Sequence, residues 1–216
     1  MVATKTYEKR TLLTGVGNMY LQMMTTEDTP DTAPVYAETV YETPSLDKVA
    51  VTLEIAEKEI YLSNKLHDNL TAVKFANITV DAGYFPTGFA EEAQGMIKVG
   101  GGWSMPTNPK KKPFRLAIPI TDTAGDEIIY NFTKCILSPV NINGETQRED
   151  ISEQLRQYAI KAVVPYFKGE AENELVYHQM DLAVPENKTK YDRDKLLTQG
   201  WYDTATATAA EKVVGG

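Results

Sequence analysis

The chain has 216 residues, 42% hydrophobic and 24% charged, with 22 basic against 30 acidic residues and a formal net charge of -8. This is the make-up of one folded domain, or two small ones, long enough to bury a core without disulfides, and it excludes global disorder. The acidic balance argues against a protein that grips nucleic acid through its phosphates, and a single cysteine, Cys135, excludes a disulfide framework and a thiolate-rich metal site.

In chain order, residues 1–10 hold charges with no apolar run behind them, so no secretory signal is expected. No stretch approaches 18 apolar residues, so no membrane partner is expected. Met19 to Met24 reads as a short strand, and the Thr, Asp and Pro of 25–34 as a loop. Val49 to Ala56 alternates cleanly. Val49, Val51, Leu53 and Ile55 share one face, and Ala50, Thr52, Glu54 and Ala56 the other, which predicts a half-buried strand. Residues 57–71 read as a long polar connection with Ile60, Tyr61, Leu62 and Leu66 inside it, and a connection of that length is usually functional. Ala72 to Ala82 predicts another strand.

Phe85-Pro86-Thr87-Gly88 breaks the chain. Phe89, Ala93, Met96 and Ile97 then follow helical spacing, with Glu91 and Glu92 in the favourable first turn. Phe89, Ala93 and Met96 are expected to pack on the core, and Gly100-Gly101-Gly102 to stop the helix. Lys110-Lys111-Lys112 reads as a solvated loop, with an acidic partner or a charge contact between subunits as the alternatives. Phe114, Leu116, Ile118 and Ile120 alternate with Arg115, Ala117 and Pro119, the proline pointing to an edge or a strand end. Thr123 to Asp126 predicts a hairpin turn into Ile128 to Leu137, a strand apolar on both faces. Residues 148–158 fit helix or strand. Tyr158 to Phe167 and Leu175 to Leu182 predict strands, and 183–216 an extended arm with a frayed end.

The chemistry-bearing residues form no pattern. His67 and His178 lack patterned partners, Cys135 lies in an apolar strand, and no nucleophile elbow, zinc-protease helix, phosphate loop or calcium loop occurs. No catalytic, cofactor-binding or metal-ligating residue is expected. The elements predict a mainly β (α+β) chain: an antiparallel β-sandwich with one packed helix, a long inter-strand loop and terminal arms, 1–16 and 183–216, on a single domain.

The order of these features resembles the major tail proteins of long-tailed, non-contractile bacteriophages. Gly17 to Asp28 is similar to that family's first strand and Thr/Asp loop. The run Glu59-Ile60-Tyr61-Leu62-Ser63-Asn64 is similar to a family stretch that follows a glutamate. Ile78-Thr79-Val80-Asp81 leading into Phe89 to Gly95 resembles its strand-to-helix step. Pro113 to Thr121 with Ile128 to Pro139 resembles its paired strands, and Gly144 to Gln154 a segment before the next strand. The resemblance covers roughly 17–182. It implies a non-enzymatic virion protein, made in the host cytoplasm, whose hexameric rings stack into a tail tube. Its partners would be further copies, the tape measure and the tail terminator, and DNA would pass through without specific binding. Within that picture the polar face of 49–56 puts Thr52 and Glu54 toward the lumen, with the outer surface as the alternative. Ile60, Tyr61, Leu62 and Leu66 become inter-ring contacts. Two other readings are a terminator that forms a single ring, and a carbohydrate-binding module or small hydrolase using Tyr36, Tyr41 and Tyr61.

Overall fold

A computed structural model describes residues 11–62, 65–141, 155–168 and 174–213, with the side chains of Leu62 and Leu66 outside the described set. The protein is mainly β, with antiparallel pairing throughout. The strands are β1 (Leu13–Val16), β2 (Met19–Thr26), β3 (Val35–Tyr36), β4 (Tyr41–Thr43), β5 (Leu46–Leu62), β6 (Lys65–Ala82), β7 (Ile97–Val99), β8 (Gly102–Ser104), β9 (Phe114–Asp122), β10 (Glu127–Leu137), β11 (Arg156–Val163) and β12 (His178–Asp181). The helices are α1 (Phe89–Ala93), α2 (Pro185–Lys190), α3 (Arg193–Thr198) and α4 (Thr204–Ala209).

One sheet runs β3-β2-β9-β10-β11-β6-β5, with β4 on β2, β1 on β9 and β12 on β10. Its register shifts between Phe132 and Cys135 of β10, and such a bulge bends a strand. Before the bulge β10 carries β12, and after it β10 carries β11. The sheet thereby curls until β1 comes up against β5. Met19 and Leu21 of β2, Phe114, Leu116 and Ile118 of β9, Ile78 and Val80 of β6, and Tyr158 and Ile160 of β11 share one core. Each large apolar side chain removed from water there contributes about 1.5–3 kcal/mol before conformational entropy is subtracted.

Pro119 lies inside the sheet, where an edge or a strand end was expected. It faces Ile129 of β10 on one side. On the other side it falls between the residues that pair with β2 and those that pair with β1, and its carbonyl accepts from Gly17 N at 2.9 Å. A missing N–H costs nothing in that gap.

The helix expected from Phe89 through Ile97 is a single turn. Gly95, at φ 81°, ends it, because the left-handed conformation cannot continue a helix. Gly100 and Gly101 instead turn the β7–β8 hairpin, and Ile97 is an exposed residue of β7. A Cβ on Gly95 would lie 2.5 Å from the Lys110 carbonyl oxygen. Gly95→Ala therefore combines backbone strain with a backbone clash, and we expect it to lower stability by about 3 kcal/mol, read as a shift in the urea midpoint at unchanged slope. A loss below about 0.5 kcal/mol would mean the turn is not rigid.

The segment expected as an extended C-terminal arm holds three short helices. Pro185 opens α2, Asp192 caps α3 through Asp194 N and Lys195 N, and Asp203 forms a capping box with Thr206 at α4. They cover the other face of β9 and β10, where Leu196, Leu197, Trp201 and Ala210 enclose a second core with Tyr20, Ala117 and Ile129. Of the arm expected over 1–16, residues 13–16 form β1. The strands expected over 158–167 and 175–182 are shorter, at 156–163 and 178–181. The uncertain segment 148–158 lies largely outside the described residues.

Candidate assembly surfaces

The long polar connection expected over 57–71 is the far end of a β-hairpin. β5 has 17 residues and β6 has 18, and their register runs from Leu46 opposite Ala82 to Leu62 opposite Lys65, with shifts between Glu54 and Ile55 and between Ile60 and Tyr61. Only the lower part covers the core. Val49 and Leu53 are partly buried against it, whereas Val51, Ile55 and Val73 are 44%, 46% and 42% exposed on the same apolar stripe. Beyond them seven residues, 56–62, extend roughly 23 Å at about 3.3 Å per residue. β5 is the last strand in the hydrogen-bond order, so among the described residues no strand pairs with its outer N–H and C=O groups.

Thr52 and Glu54 are exposed on the opposite, polar face of the hairpin, across from Asn77 and Phe75. Lys161 of β11 pairs with Asn77 in the ladder and sets its ammonium over the Phe75 ring, 3.8 Å from its centre. Ile60 is partly buried and Tyr61 exposed near the hairpin tip, with the Tyr61 hydroxyl donating to Glu59 at 2.5 Å. Leu62 and Leu66 belong by backbone to the same tip. Phe89 and Ala93 are buried under α1, with the Phe89 ring edge-on to Phe114 at 5.3 Å, and Met96 is partly buried after the helix has ended.

Tyr36 donates to the Thr133 carbonyl at 2.9 Å, Tyr41 packs edge-on against Phe89, and Tyr61 stands out on the hairpin. The three share no groove. Cys135 is buried, and burial pushes its thiol well above the usual range. His178 is half-buried beside Trp201, and burial lowers its pKa. Among the described residues no three His, Cys, Asp or Glu side chains are placed to hold a metal ion, and no helix is long and apolar enough to cross a membrane.

One buried cation escaped the sequence pattern. In sequence Arg115 alternates with Phe114, Leu116 and Ile118, yet it is fully enclosed between β9 and α3. It donates to Asn131 Oδ1 at 2.7 Å, Gln22 Oε1 at 3.2 Å, and the Leu196 and Leu197 carbonyls at 3.0 Å each. These carbonyls lie in the last turn of α3, where helix carbonyls carry partial negative charge. Burial draws the guanidinium pKa down to about 10, which still leaves it charged at neutral pH.

No protein-family model matches the chain, and no curated protein sequence matches it. Among solved structures it is similar to the tube terminating cap of the anti-feeding prophage, solved by cryo-electron microscopy, with a TM-score of 0.46 and 10% identity over 84% of this chain and 98% of that one.

Proposed function

We propose that the protein is a virion structural subunit that assembles with copies of itself into hexameric rings, and that these rings stack into a phage tail tube. The observation that carries this reading is the β5–β6 hairpin. A long outer strand whose edge has no partner strand among the described residues, and which carries exposed apolar side chains, is a hazard in a free monomer and a joint in an assembly. The resemblance in sequence order to tail tube proteins supports the same reading. The β5 edge serves the lateral contact that closes the ring, and the hairpin tip around Ile60, Tyr61, Leu62 and Leu66 serves the axial one. Two different head-to-tail contacts are what a stacked ring needs.

The polar face of the hairpin lines the bore in this reading. Between Lys48 and Glu54 that face holds Glu54 and Asp81 against Lys48 and Lys161, so this stretch carries no net positive charge to hold a polyanion. Electron microscopy of the concentrated, purified protein tests the proposal. Stacked rings support it, single rings that never stack move the assignment to a terminator, and a monomer at every concentration refutes both. Glu54→Lys changes the charge by two per copy, and in the altered phage it should leave tail length normal while slowing DNA ejection several-fold. Unchanged ejection kinetics would place Glu54 on the outer surface.

A further inference from the structure

The two ends of β9 have opposite character. At its start, Lys110, Lys111 and Lys112 are exposed beside Lys98 of the β7–β8 hairpin, and Lys98, Lys110 and Lys112 line one cleft with Trp103. Ile97, an exposed apolar residue, lines the same cleft. The two-stranded β7–β8 unit pairs with no strand of the main sheet. Its Lys98–Trp103 side holds a cation–ring contact of 5.1 Å, and the cross-strand order puts Ile97 and Val99 on the other side.

At the far end of β9, nine residues or roughly 30 Å away, lies a cleft of about 440 Å³ rimmed by Asp122, Asp126, Glu127 and Asp181. Lys188 and Arg193 offset two of these charges, through Asp126 and Glu127. Leu13 and Val184 line the same cleft, and Leu12, Leu13 and Val184 are exposed. Following the antiparallel register from β6 through β11 and β10 to β9, the tip of the β5–β6 hairpin and the acidic cleft lie at the same end of the sheet. The lysine patch lies at the other end.

From this arrangement we infer that the lysine patch of one copy docks on the acidic, apolar-lined cleft of a second copy, as an end-to-end contact along the strand direction. Lys112 pairs with Glu92 at the first cleft, as Lys188 and Arg193 pair with Asp126 and Glu127 at the second, so each surface keeps an excess of one charge sign beside exposed apolar side chains, and the two signs are opposite. A contact between unlike surfaces of identical chains is heterologous, so it propagates. Charge complementarity would set its register and make it salt-sensitive. The inference rests on the stacking reading and adds the residues of the axial joint.

The test uses the full chain and two charge-reversed variants. Lys110→Glu/Lys111→Glu makes both ends acidic, and Asp126→Lys/Asp181→Lys makes both basic. Expected is a rise of at least tenfold in the concentration at which either variant stacks, with rings intact by electron microscopy, and recovery of stacking when the two are mixed. Should the basic variant melt early, having lost the Asp126–Lys188 pair, Asp126→Asn/Asp181→Asn replaces it and should by itself raise the stacking concentration several-fold. Lysine-reversed protein that stacks at the wild-type concentration overturns the inference and leaves the tube reading standing. Wild-type protein that never forms rings or stacks overturns the tube reading and the inference with it.

Discussion

A subunit in which residues 58–70 are replaced by Asn-Gly is expected to fold normally and to lose axial assembly altogether. Glu57 and Thr71 face each other in the ladder, so a two-residue turn can close the shortened hairpin where the register already brings the strands together. What is removed lies beyond the core. Of the replaced residues, Lys58, Glu59, Tyr61, Lys65, His67, Asp68, Asn69 and Leu70 are exposed and Ile60 is partly buried, and none of these belongs to either core, so the described hydrophobic core is untouched. The melting temperature by circular dichroism should stay within a few degrees of the parent. Electron microscopy at high concentration should show single rings in place of stacks. Stacks of normal length from the shortened protein would remove the hairpin tip from the axial contact. A collapsed melting temperature would instead show that the tip takes part in folding.

The second large effect is expected at Arg115. It is the largest fully buried side chain in the described structure, and it holds the end of α3 to the sheet through two carbonyls. Arg115→Met keeps much of the volume and deletes every donor. The Leu197 carbonyl and the side-chain oxygens of Gln22 and Asn131 then lose a buried donor, while the Leu196 carbonyl keeps the Trp201 indole N–H, and the change loses about 3–5 kcal/mol. Arg115→Lys keeps the charge without the planar fork and should recover only part of the loss. Urea unfolding of the two variants decides the matter. If Arg115→Met is neutral, the α3 end is held by the Leu196, Leu197 and Trp201 packing alone. Limited proteolysis gives an independent readout, since release of the α3 end exposes the chain after Leu182 to cleavage before the rest of the domain.

How much of this was legible depends on where each residue found water. The β9–β10 hairpin was legible because apolar residues alternate along β9 and Thr123 to Asp126 supply a turn, with Gly125 at φ 84°. The outer half of β5–β6 was not, because both of its faces meet solvent in the free chain. A strand without a buried face needs no alternation, so Glu57, Lys58 and Glu59 read as a loop. The polar face of Thr52 and Glu54 was legible, since both are exposed opposite the stripe that covers the core. The burial of Arg115 was hidden, because the partner covering that face arrives some 80 residues later, as the bonds to Leu196 and Leu197 show. The C-terminal helices did carry local signals: Pro185 at a first helical position and Asp192 and Asp203 as caps. Six-residue helices are too short to show a periodic apolar stripe, so the Thr-Ala run outweighed those signals.

The bulge at Thr133 and Lys134 is fastened on its outer side. The Lys134 ammonium meets Asp28 at 2.6 Å, Asp28 also accepts the Phe167 amide at 3.1 Å, and Tyr36 holds the Thr133 carbonyl. β10 passes through that bend unbroken, paired with β12 before it and β11 after it, so the described strands on either side of the bend belong to one sheet. A tug on the β5 rim travels through the hydrogen-bonded pairs of β6, β11, β10 and β9 to β2. A load on one flank is therefore shared along a single hydrogen-bonded ladder, with no change of sheet between β5 and β2.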